Sequence, residues 1–99
     1  VIVRVWEAPV VPGLMGEFCA MMAADVVPPI RQVDGCLGAE LLCSTDPQEP
    51  RVLLVSRWRD EAALRGYAGP MWRVRPVWAE QELRYLLRAP RVSHFTPQG

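Results

Sequence analysis

The sequence predicts an α+β fold with elements in the order β-α-β-β-α-β, and three observations carry that expectation. Residues 51–58, Arg-Val-Leu-Leu-Val-Ser-Arg-Trp, form an apolar strand that runs without a loop into the helical stretch Asp60-Glu61-Ala62-Ala63-Leu64. Residues 1–8 form another strand, with valine at each odd position up to Val5 and a tryptophan, Trp6, toward its end. Between them, Leu14, Met15, Phe18, Met21, Met22 and Val26 recur at three- and four-residue steps, the period of an amphipathic helix.

Each element then has its own boundary signals. Pro9 and Pro12-Gly13 close the first strand. The helix opening at Leu14 is expected to end or kink at Pro28-Pro29, because proline lacks the amide donor and its ring crowds the preceding turn. Gln32-Val33-Asp34-Gly35 reads as a turn and Cys36–Cys43 as the second strand. The polar, proline-punctuated run 44–50 is a hairpin loop leading into the third strand, Arg51–Trp58. A second helix spans about Asp60–Ala68 and stops at Gly69-Pro70. Met71–Leu87 carries weaker helical periodicity, interrupted by Pro76, and Pro90 precedes a final strand, Arg91–Thr96. No linker or low-complexity segment divides the chain, so residues 1–99 are expected to form a single domain.

Right-handed crossovers turn this order into a four-stranded antiparallel sheet with both helices on one face, the ferredoxin-like arrangement. The other face has no helix to cover it. Yet the third strand is apolar at both parities, Val52 and Leu54 on one side and Leu53 and Val55 on the other. A sheet with one wet face alternates apolar and polar residues, so the uncovered face is expected to pack on a second copy of the chain. Composition agrees: 51% of the residues are hydrophobic, more than the thin core of a small domain needs. A homodimer is the simplest partner for the excess.

Other function classes are excluded by what is missing. A net charge of zero argues against strong binding to nucleic acid or an anionic membrane. The absence of lysine removes Schiff-base chemistry and phosphate-loop motifs. Cys19, Cys36 and Cys43 are odd in number and lack CxxC spacing, and the lone His94 cannot complete a zinc site with them, so no metal is expected. They read as reduced, partly buried thiols. No charged-then-apolar leader opens the sequence and no apolar run reaches membrane-spanning length, so the expected location is the cytoplasm.

The series Val-Pro-Gly at 11–13, Val-Asp-Gly-Cys-Leu-Gly-Ala at 33–39, Val-Ser-Arg-Trp at 55–58, Glu-Ala-Ala-Leu at 61–64, Tyr-Ala-Gly-Pro at 67–70 and Val-Ser-His-Phe at 92–95 resembles the antibiotic biosynthesis monooxygenase domain. That family belongs to the dimeric α+β barrel superfamily, and the resemblance runs along nearly the whole chain in order. It implies a pocket between sheet and helices. Relatives of known chemistry are cofactor-free oxygenases that convert phenolic polyketides or hydroquinones to quinones, and haem-degrading oxygenases. The haem-degrading members use an asparagine on the first strand, a tryptophan ending the third and a histidine ligand after the second helix. Trp58 matches the tryptophan. Trp6 stands where the asparagine would be, and around Arg73–Arg75 there is no histidine, which argues against haem.

The resemblance places Trp6 and Trp58 on the helix-facing side of the sheet, and strand parity adds Ile2, Arg4, Val52, Leu54 and Ser56. Phe18 and Met22 from the first helix face them, with Tyr67, Met71 and Trp72 from the second helix and its extension. A cofactor-free oxygenase needs a dry slot for a flat phenol, a group to take its proton and a donor to hold the anion. The electron-rich anion then reduces dioxygen, with neither metal nor flavin. Trp6, Trp58, Tyr67 and Trp72 are candidates for the slot, lined further by Phe18, Met22 and Ser56. Arg4 is the candidate anion stabiliser and His94, whose unperturbed pKa lies near neutrality, the candidate base. Plainer roles stand beside these. The tryptophans, Tyr67, Phe18 and Met22 also suit a small core, and Arg4 also suits an ion pair with Glu80 or Glu82. Glu40 is expected at an exposed edge. The parity of the last strand leaves the side occupied by His94 open.

Overall fold

The computed structural model describes residues 1–99. Its four strands are β1 (Ile2–Pro9), β2 (Cys36–Cys43), β3 (Arg51–Trp58) and β4 (Arg91–Phe95), in the spatial order β2-β3-β1-β4 with every neighbouring pair antiparallel. The fold is the expected α+β, ferredoxin-like one. Side-chain alternation decides which face is covered. Arg4, Trp6 and Ala8 of β1 and Val52, Leu54, Ser56 and Trp58 of β3 are all buried, while their neighbours are half-buried or exposed. Register carries the same face across the sheet: Trp6 lies opposite Leu54 and Val92, and Arg4 opposite Ser56 and His94. His94 therefore points inward and Phe95, 56% exposed, points outward.

The helices cover that inner face, and Phe18, Met22, Val27, Ile30, Ala63 and Leu64 join the strands in one apolar core. The first helical region does not end at Pro28-Pro29, one of the two outcomes expected there. It runs as α1 (Met15–Met21), a π-helical turn (Met22–Val26) and α2 (Val27–Arg31), so Pro28-Pro29 lie inside helix and do not end it. The physical reason is position. The prolines occupy the first turn of α2, directly after the π-helical change of register, where proline's fixed φ suits the helix.

The second helical region is α3 (Glu61–Ala68), capped by Asp60, whose Oδ1 accepts the Ala63 N–H at 2.9 Å. It ends at Gly69, which has φ 86°. Residues 71–87 were expected to continue as a weak helix. Only α4 (Glu80–Leu83) forms, and the rest is turn and irregular backbone, because Gly69-Pro70 and Pro76 stop propagation. This segment is pinned instead by bonds to the end of β1 and the residues just after it. The Val11 N–H donates to the Tyr85 carbonyl at 2.7 Å and the Leu87 N–H to the Pro9 carbonyl at 3.0 Å.

A second correction concerns the cysteines. Cys19 of α1 and Cys43 at the end of β2 are joined as a disulfide, leaving Cys36 as the free thiol. An odd count without CxxC spacing excludes local pairing, but α1 crosses the end of β2 and brings together residues 24 apart. No helix is long and apolar enough to cross a membrane.

Candidate functional site

A cavity of about 260 Å³ lies on the helix-covered side of the sheet. Its floor is β1 and β3, through Trp6 and Leu54, and its walls are Met22, Ile30 and Tyr67. Irregular backbone and α4 form its roof: Val77 and Trp78, about half exposed, stand at the rim and Glu82 turns inward. A larger hollow of about 360 Å³ sits at the β2–β3 hairpin. It lies away from the core, and its polar groups serve the hairpin: Ser44 Oγ donates to the Glu49 carbonyl and accepts the Arg51 N–H. The smaller, apolar cavity is the better candidate for a ligand site.

The residues expected at a site separate into three groups. Trp6, Met22 and Tyr67 line the cavity. Trp58 and Ser56 lie one layer behind it. The Trp58 Nε1–H donates to Ser56 Oγ at 2.9 Å, and the Trp58 ring stacks on Tyr67 with centroids 4.9 Å apart and planes 20° off parallel. Trp58 is 0% exposed, so it backs the wall without touching the space. Phe18 is equally buried and packs on Tyr85 at 5.2 Å, a core contact.

Arg4, His94 and Trp72 form the third group. Arg4 Nη1 donates to the Trp72 carbonyl at 2.7 Å and lies 3.0 Å from His94 Nε2, while Nη2 donates to the Arg75 carbonyl at 3.0 Å. No acid pairs with Arg4; Glu80 and Glu82 take no part. The His94 ring meets Trp72 edge-on at 4.8 Å, and the Arg73 guanidinium covers the indole at 4.6 Å. A guanidinium only donates, so His94 Nε2 accepts and the ring proton is assigned to Nδ1. Burial, then Arg4 and Arg73, lower the His94 pKa. His94 is thus neutral at pH 7, yet its free lone pair already faces Arg4. Neither residue lines the cavity. Together they tie residues 72–75 to the sheet.

Two cavity groups were missed by the sequence reading. Glu82 is 3% exposed, and its Oε2 accepts the Ala79 N–H at 3.2 Å. Burial pushes its pKa up, against a smaller lowering from that backbone bond. The signal was present: Trp78, Glu82 and Tyr85 fall on one side at steps of four and three, an acid within an apolar stripe. Trp78 was passed over because Pro76 had broken the periodicity around it. Tyr67 also has a raised pKa, chiefly from burial, offset by Arg4 and reinforced by Glu82. The cavity therefore combines flat aromatic walls and a buried carboxyl group.

Comparison with known proteins adds ancestry to this geometry. The family model described as antibiotic biosynthesis monooxygenase matches residues 1–69. A Mycobacterium tuberculosis protein of known structure superposes with a TM-score of 0.72 at 24% identity, covering 99% of this chain and 95% of its own. A monooxygenase of Streptomyces coelicolor, solved with the ligand nanaomycin D, gives 0.70 at 28% identity, covering 99% and 88%. A Nitrosomonas europaea protein provisionally assigned to the antibiotic biosynthesis monooxygenases gives 0.74 at 13% identity, covering 98% of both chains. None of the curated proteins matches the sequence. With the family model spanning well over half of the sequence and these folds superposing along nearly all of it, the chain belongs to the antibiotic biosynthesis monooxygenase family.

Proposed function

We propose that this protein is a cofactor-independent monooxygenase that oxidises a phenol or hydroquinone with dioxygen in the cavity beside Trp6. The observation that carries the reading is the cavity itself, apolar and aromatic-walled on the helix-covered face in a chain of this family. The Streptomyces relative holds a small organic ligand, which supports a small-molecule substrate here. Size narrows the substrate. A cavity of about 150 Å³ accepts benzene, so 260 Å³ suits one or two fused rings.

For a phenol the overall change balances without a further reductant. One oxygen atom enters the ring carbon para to the hydroxyl and becomes a carbonyl. The other leaves as water with two hydrogens from the phenol, and the ring supplies all four electrons. Oxygen uptake and quinone absorbance, followed with naphthols and hydroquinones, test this directly. Enzyme-dependent uptake of one dioxygen per quinone is expected; no uptake across the panel sinks the reading.

One observation favours a second reading, a binding module without turnover. The arginine and histidine expected to drive catalysis are bonded to each other and to backbone. That reading predicts thermal stabilisation by naphthols with no oxygen consumed. In either case the open sheet face, with Val5, Leu53 and Val55 half-buried and Leu42 43% exposed, supports a homodimer. Light scattering should give twice the chain mass, and Leu53→Arg should shift it to the monomer.

A further inference from the structure

Trp78 stands apart from the other tryptophans. Trp6, Trp58 and Trp72 are at most 3% exposed, whereas Trp78 is 45% exposed although it lines the cavity. Val77 beside it is also exposed and also borders that space. The backbone that carries them is bound at both ends and nowhere between. At one end the Arg75 N–H donates to the Met71 carbonyl at 2.9 Å, and the Arg75 carbonyl accepts from Arg4 Nη2 at 3.0 Å. At the other, the Ala79 N–H donates to Glu82 Oε2 at 3.2 Å and the Ala79 carbonyl accepts the Glu82 N–H at 2.9 Å. Residues 76–78 make no hydrogen bond to any other part of the protein, from backbone or side chain. A stretch without such bonds rearranges at little cost, and its two anchors limit how far it travels.

We propose that residues 76–78 form a strap that closes over a flat ring bound in the cavity, with the Trp78 indole as the covering face. This rests on the reading of the cavity as an aromatic-ligand site and adds how that site opens and shuts. The occupant follows from what surrounds the space. Trp6 and Tyr67 wall a cavity of about 260 Å³ whose mouth is Trp78. An indole laid on a ring held there buries apolar area on both partners, in the offset or edge-on geometry that aromatic pairs prefer. In the open form the same indole face is wet, so a bound ring supplies the contact that the strap lacks.

Closure also keeps water from the reacting ring, the ordinary service of an active-site lid. Its signature is kinetic. A ring enters while the strap is open and leaves only after it has opened again, so Trp78 slows release more than entry.

Incorporated fluorotryptophan gives four fluorine NMR signals, one for each tryptophan, assigned with single Trp→Phe variants. A soluble gadolinium chelate, which broadens the signals of exposed indoles, should broaden Trp78 most in the free protein. Adding 2-naphthol under nitrogen, which prevents turnover, should shift the Trp6 and Trp78 signals and reduce the broadening of Trp78 severalfold. In stopped flow followed by naphthol fluorescence, Trp78→Ala should raise the dissociation rate about tenfold and leave the association rate within about twofold. Trp78→Phe should keep most of the slow release. A shifted Trp6 signal with Trp78 still fully broadened overturns the strap and leaves the cavity standing, as does an unchanged dissociation rate in Trp78→Ala. A Trp78 signal already protected in the free protein overturns it too, because a second copy of the chain then covers the indole. Should Trp78→Ala fail to fold, the wild-type fluorine signals decide. No shift in either signal at the solubility limit of 2-naphthol removes the strap and the aromatic cavity together.

Discussion

Glu82 carries a carboxylate into an apolar surround, and the raised pKa fixes the sign of its effect on stability. Below the unfolded value of about 4.5 the group is protonated in both states. As pH rises past that value, the unfolded chain loses the proton first, so stability falls until the folded group has ionised too. Glu82→Gln keeps an acceptor for the Ala79 N–H and removes the charge. It should raise Tm at pH 7, with the gain shrinking toward pH 4; a lower Tm at pH 7 would contradict the burial argument. His94 behaves in the opposite sense. Its pKa lies below 6.5, so on acidification the unfolded chain binds a proton first and stability falls from about pH 6.5 downward. His94→Gln should remove that component from the pH dependence of Tm between pH 7 and 5. The family resemblance made the inward face of Trp6 legible, and parity extended it to Arg4, Leu54 and Ser56. Depth was not, because alternation tells which side a residue faces and says nothing of how many layers lie beyond it. Trp6 borders the cavity and Trp58 backs it for that reason.

Strands and helices with strong periods were legible to within a residue or two, and the irregular stretch was not. β2 and β3 match their expected bounds, β4 ends one residue early at Phe95, and α3 begins one residue after its cap. Residues 72–75 are tied to the sheet by Arg4, which bonds the Trp72 and Arg75 carbonyls, long-range contacts that no local pattern encodes. Gly35 shows how closely two elements can approach. It has φ 85°, its carbonyl accepts the Arg59 N–H at 2.9 Å, and a Cβ added there would overlap Ala63 Cβ of α3. Gly35→Ala therefore combines left-handed strain with overpacking and should cost on the order of 2–4 kcal/mol, read as a lower urea midpoint. Adding Ala63→Gly should recover the steric share and leave the backbone share, separating the two.

Across the whole molecule, the disulfide sets a condition that the fold alone does not require. Cys19–Cys43 closes a loop that contributes on the order of 3 kcal/mol by chain entropy, so dithiothreitol should lower Tm. Thiol titration of the denatured, unreduced protein should find one reactive group, Cys36; three would mean that the pair is open.

The cavity draws its two halves from different parts of the chain. Floor and walls, Trp6, Met22, Leu54 and Tyr67, fall within residues 1–69, the span that the family model describes. The roof, with Val77, Trp78 and Glu82, falls after it. Residues before 70 thus supply the room, while a short later stretch supplies the carboxyl group and the aromatic rim. Arg4 spans this divide, an inner-sheet residue bonded to the first carbonyls of the later stretch. Substitutions between residues 77 and 82 can therefore redraw chemical preference without repacking the sheet.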